Sequence, residues 1–164
     1  MKAKKFLLMA GTVLMMVTLM STTCSKTDDP QNPDCSGYIQ ATATGNINQS
    51  YCFDDNPQYV YDEENERLNF SAIVTIDGVI YGCDVSVMPF TPDTQNYTCG
   101  FDNPGGVELI LHGDNQEFYQ SQSGSLTITE ADATHLKATF NVVTKGYNNG
   151  KTVNLQGSVN YSGS

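Results

Sequence analysis

Two histidines, five cysteines and 18 acidic side chains are the groups with which this 164-residue chain could do chemistry. Acyl-transfer hydrolysis needs a nucleophile with a base within reach, and His112 and His135 are the only imidazoles. His112 ends an alternating stretch with parity opposite to Leu109 and Leu111, and His135 opens another just after Asp132. Neither stands beside a Gly-x-Ser-x-Gly elbow, so both read as surface histidines. Glycoside hydrolysis would need two carboxylates across a cleft, and 18 acids single out no pair. The densest acidic run, Asp62-Glu63-Glu64-Asn65-Glu66, lacks the glycine at the bend of a tight calcium loop and reads as a solvated loop. Asp54-Asp55-Asn56 and Asp114-Asn115 read as turn material. No phosphate-cradling glycine loop or dinucleotide fingerprint occurs. The expectation is therefore no catalytic residue, no metal and no cofactor. Tyr38, Tyr51, Tyr59, Tyr61, Tyr97, Tyr119 and Tyr147 are read first as strand packing. A sugar-binding platform is the alternative, and the chain has no Trp to add to it.

The cysteines take their meaning from the N-terminus. Lys2, Lys4 and Lys5 precede Phe6 to Met20, fifteen residues without a charge. That pattern is a signal peptide, too short and wrongly flanked for a transmembrane helix. The sequence Cys24-Ser25-Lys26-Thr27-Asp28-Asp29 follows small residues and resembles the processing site of a bacterial lipoprotein, in particular of Bacteroidetes lipoproteins sent to the outer face of the outer membrane. Ser21 and Thr23 depart from that pattern and keep ordinary signal-peptide cleavage as the alternative. The resemblance implies that Cys24 carries the lipid and tethers the protein to the membrane. Several acyl chains at about 0.8 kcal/mol per buried CH₂ anchor a protein where a single chain does not.

With Cys24 assigned to lipid, Cys35, Cys52, Cys83 and Cys99 remain. An even number in an exported chain reads as two disulfides, with three connectivities open. Neighbour pairing, Cys35 with Cys52 and Cys83 with Cys99, is the expectation. Each bridge would close a loop of about 16 residues, about 3 kcal/mol by chain entropy. No Cys-x-x-Cys pair supports zinc.

Removal of the signal leaves five basic against 18 acidic residues, a net charge of about −13, which gives no electrostatic footprint for nucleic acid. Residues 25–36, with Pro30 and Pro33, form a polar tether, and one domain of about 130 residues follows. Its period is two. In Arg67 to Ile76 the residues Leu68, Phe70, Ala72, Val74 and Ile76 share one face. Asp77-Gly78 then suits a type I′ hairpin, which sets Leu68 opposite Val87, Phe70 opposite Val85 and Ile76 opposite Val79. Leu136 to Val142 and Val153 to Tyr161 repeat the pattern around Asn149-Gly150, which predicts Phe140 opposite Val159. Shorter strands are expected at Tyr38 to Thr44, Tyr59 to Tyr61, Tyr97 to Phe101, Val107 to His112, Phe118 to Gln120 and Ser125 to Thr129.

The fold class is thus all-β, an antiparallel β-sandwich or partly closed barrel of about 8–10 strands spanning 37–164. Gly124 to Thr129, His135 to Val142 and Gly150 to Val159 are similar to the C-terminal strands of a family of uncharacterised Bacteroidetes lipoproteins, a likeness of about 40 residues that implies a cell-surface β-sandwich and no catalytic residue. The expected function is a non-catalytic, lipid-anchored binding module for a glycan, peptide or host molecule. A structural subunit of an outer-membrane complex, with an open sheet edge, is the alternative, and a hydrolase ranks below both.

Overall fold

The computed structural model describes residues 35–93, 95–112 and 116–163. The expected signal peptide (1–23), the expected lipid anchor Cys24, most of the expected tether and the expected turn at Asp114-Asn115 lie outside the described residues.

The period-two pattern becomes ten strands: β1 (Ile39–Gly45), β2 (Gln49–Phe53), β3 (Asp55–Asp62), β4 (Arg67–Ile76), β5 (Val79–Val87), β6 (Asn96–Thr98), β7 (Gly105–His112), β8 (Glu117–Ala131), β9 (His135–Gly146) and β10 (Thr152–Ser162). They form one antiparallel sheet in the order β2-β1-β10-β9-β8-β7-β5-β4-β3, with β6 added on β8. The two edges, β2 and β3, are consecutive in sequence with only Asp54 between them. The sheet therefore curls back on its own start and is nearly closed into a barrel. Tyr51 on β2 and Tyr81 on β5 bring their rings 5.1 Å apart.

The β4–β5 hairpin has the expected register throughout, from Leu68 opposite Val87 to Ile76 opposite Val79. Asp77 (φ 52°) and Gly78 (φ 79°) both take the left-handed conformation that this two-residue turn requires. In the C-terminal hairpin Phe140 faces Gly157 instead of Val159. The connection there is the five-residue loop 147–151, closed by Gly146 N donating to Lys151 O at 2.8 Å. The register consequently moves by two residues, which keeps every side chain on its expected face.

The two short strands expected at 118–120 and 125–129 are one strand, β8. Its register shifts between Ser121 and Ser123, so one extra residue reverses the alternation. Glu117, Tyr119 and Ser121 point inward before the bulge, and Leu126 and Ile128 after it. Strand β2 was not anticipated as a separate element.

Inside the barrel, Leu68, Phe70, Val85, Val87, Val107, Leu109, Leu126, Leu136 and Leu155 have no exposed surface. Each such side chain contributes about 1.5–3 kcal/mol through removal from water. Most tyrosines complete this packing. The Phe70 ring lies 5.0 Å from Tyr161 and 6.1 Å from Tyr59, while Tyr147 stays 84% exposed.

Cys35 and Cys52 form a disulfide with Cα atoms 5.6 Å apart, as expected. The second expected bridge does not form: Cys83 and Cys99 are free, buried thiols. Cys83 stands opposite Leu109 on β7, whereas Cys99 bridges to Gly105. Four residues along β7 are about 13 Å, well beyond the Cα separation a disulfide can span.

Candidate functional site

Along β1, β8, β9 and β10 the outward positions alternate with core residues, and the register aligns them across the sheet. Thr42 faces Ser50 on one side and Gln156 on the other. Gln156 faces Asn141, and Asn141 faces Ser125. One row of hydroxyls and carboxamides thus crosses five strands. A second row lies two residues further along each strand: Gln40 opposite Ser158, Ser158 opposite Thr139 and Thr139 opposite Thr127.

These two rows, with Thr44, line a groove of about 550 Å³ that has Ala41, Tyr51, Phe140 and Gly157 at its base. Among the described residues no carboxylate or ammonium group lines it, in a chain whose formal net charge is −10. Charge returns one row away, where Lys137 pairs with Glu130 at 2.6 Å.

Gly157 shapes this base. A Cβ there would collide with the main-chain oxygen of Gln40 and come within 2.5 Å of the Phe140 ring. Only a residue without a side chain lets β10 settle this closely between β1 and the Phe140 ring. The Cys35–Cys52 disulfide adds a wall, since Cys35 lines the groove and its carbonyl accepts a hydrogen bond from Gln40 Nε2 at 2.6 Å. At the same β2 end Thr42 and Ser50 hold their hydroxyls 3.5 Å apart. Hydroxyls and carboxamides each donate and accept, so this surface suits a neutral ligand rich in hydroxyl groups. Its described lining offers no fixed charge with which to recognise an ion.

The other chemistry-bearing groups lie elsewhere. His135 Nδ1 is 3.2 Å from both carboxylate oxygens of Asp132, and Glu130 completes a group of three that could hold a metal ion. Its members already have partners. Asp132 accepts from the Thr134 and His135 main-chain nitrogens, which holds its carboxyl down at about 2, and Glu130 is neutralised by Lys137. The group caps the β8–β9 turn. His112 ends β7 opposite Ile80, far in sequence and register from that turn.

Asp84 and Glu108 stand directly opposite each other on β5 and β7. Burial pushes both carboxyls above the usual range, opposed at Asp84 by a hydrogen bond from Asn69. Among the described residues this is the nearest approach to the paired carboxylates of a hydrolase, and it sits on the outer side of β5 and β7, strands that do not line the groove. The acidic run 62–66 is a turn in which the Asp62 carboxylate accepts from Asn65 N at 3.0 Å and Asn65 Nδ2 at 2.8 Å. Tyr61 donates to Glu63, which raises the phenol to about 12.

Of the tyrosines considered as sugar platforms, Tyr51, Tyr97 and Tyr119 are buried, and Tyr38, Tyr59 and Tyr61 pack in an aromatic cluster at the barrel end where β1 begins. The groove residues Gln40, Thr42, Thr139, Asn141, Gln156 and Ser158 were not singled out from the sequence. Their only local signal is that successive outward positions are uncharged.

Comparison with protein-family models, with curated proteins and with solved structures returns no match.

Proposed function

We propose that this chain is a non-catalytic binding module, held by lipid on Cys24 at the outer surface of the outer membrane, whose ligand is a neutral glycan. The observation that carries the reading is the groove: nine hydroxyl and carboxamide side chains in two registered rows, Thr44 beside them, and no charged side chain among the described lining residues. Polar uncharged groups that both donate and accept match the alternating donors and acceptors of sugar hydroxyls. Each hydrogen bond adds only about 0.5–1.5 kcal/mol net, so such a site works by number. The acidity of the rest of the chain repels anionic polymers, and the described groove lining has no carboxylate with which to hold a cationic one.

The alternative of a structural subunit needs an edge open to strand addition. The β3 edge is blunted by Pro57, by the left-handed Asn56 (φ 48°) and by a register shift between Asp55 and Gln58, devices that discourage such pairing. The β3 edge is thus ill suited to strand addition, and the formed polar groove favours the binding reading.

The test is a glycan panel probed with the chain beginning at Ser25. Neutral saccharides should be retained and sulfated or uronic-acid polymers should not, and Gln156→Ala with Asn141→Ala should abolish retention without lowering thermal stability. Retention of only charged glycans would refute the reading. Display is tested separately: Cys24 should incorporate labelled palmitate, and Cys24→Ser should not.

A further inference from the structure

The direction and spacing of the groove say more about its ligand. Its lining extends from Ser50 on β2 to Ser125 on β8, so its long axis runs across the strands. Adjacent strands are about 4.8 Å apart, and four intervals give a floor of about 19 Å. Each of β1, β10, β9 and β8 supplies one polar side chain to either row. The rows are separated by two residues along the strand, about 7 Å, close to the width of a pyranose ring. The strand spacing is close to the advance per sugar of an extended β-linked pyranose chain. In such a chain successive sugars turn their hydroxyls to opposite sides, and the groove has a partner on both sides at every step.

We infer that the groove selects an extended, linear, neutral β-linked glycan lying across the strands, one sugar to a strand, with four sugars filling the site. This rests on the neutral-glycan reading above and adds length, shape and direction to it. A single sugar would meet only one step of each row, and a bent or branched chain would leave the floor after one or two.

The experiment is a titration calorimetry series with the chain beginning at Ser25, using linear β-1,4-linked gluco-, xylo- and manno-oligosaccharides of one to six units and a β-1,3-linked gluco-series as the bent control. For at least one linear series, affinity should rise at least tenfold between one and four units and level off by five. Ser125→Ala, at the end of a row, should weaken the five-unit sugar about fivefold, the equivalent of one hydrogen bond, and leave the two-unit sugar unchanged. Gln156→Ala, at the centre, should weaken every length. Equal affinity for one and five units, or for the bent and linear series, would overturn the extended-chain inference while leaving a neutral-glycan module standing. Absence of binding by every series at every length would overturn the extended-chain inference, and the neutral-glycan reading falls with it if the panel also retains no neutral saccharide.

Discussion

Substitution of Gly157 by alanine isolates the contact that forms the base of the groove. Gly157 does not have the positive φ that favours glycine, so alanine brings no backbone strain there, and the whole cost is steric. The new Cβ would overlap the Gln40 main-chain oxygen and stand 2.5 Å from Phe140 Cζ. The first is backbone in a paired strand and the second a ring that is 3% exposed, so neither can step aside cheaply. Overpacking of this kind costs about 1–3 kcal/mol, and two rigid obstacles place it at about 3. For a domain of this size that is a fall in Tm of about 10 °C. Gly150→Ala is the control: it has φ 65° and nothing within 4 Å of the added Cβ, so only the left-handed conformation counts, about 1–2 kcal/mol. Urea denaturation of both variants, with the midpoint read at constant m, checks the difference. A Gly157→Ala protein within about 0.5 kcal/mol of the parent would refute the close approach of β1, β10 and Phe140.

Other expectations follow from single features. Asp84 and Glu108 have carboxyls raised in the folded state, so their ionisation lowers stability once the pH exceeds the unfolded-state range near 4. Asp84→Asn should therefore raise Tm at pH 7 and lose that advantage at pH 3, where both carboxyls are protonated in either state; an equal shift at both pH values would contradict this. Burial raises both thiols, Cys99 to about 11 and Cys83 further. The chain beginning at Ser25 should show no thiol reactive towards a disulfide reagent when native and two when denatured, whereas none in the denatured state would mean that they pair. Paired Cys35→Ala and Cys52→Ala substitution opens a loop of sequence separation 17 and should lower stability by about 3 kcal/mol in urea denaturation; no loss would show that the bridge does not restrain the unfolded chain.

The residues differ in how much of this could be read in advance. Asp77-Gly78 fixes its own turn, and so Leu68 through Val87 could be paired one by one. Asn149-Gly150 is also a turn signal, but five loop residues surround it, and loop length sets register. The register there stands two residues from the one a two-residue turn would set, with the faces intact. Gln122 at the bulge reverses the parity of β8, so a period-two reading breaks there into two strands. Cys83 and Cys99 show the limit of spacing arguments, because proximity in sequence does not bring Cys99 near the middle of β5. The groove was legible only in part. Thr42, Asn141 and Gln156 read singly as solvent-facing strand residues, and only cross-strand register, joining positions more than 100 apart in the chain, lines them into rows.

The most direct test of the central claim is a backbone NMR titration of the chain beginning at Ser25 with the tightest-binding linear neutral oligosaccharide. Shifts are expected at the main-chain amides of Thr42, Gln156, Asn141 and Ser125 and their neighbours in the second row, with the Tyr38–Tyr59–Tyr161 cluster and the Asp84–Glu108 face unmoved. Shifts confined to that aromatic cluster or to the acidic face, with the two rows silent, would contradict it.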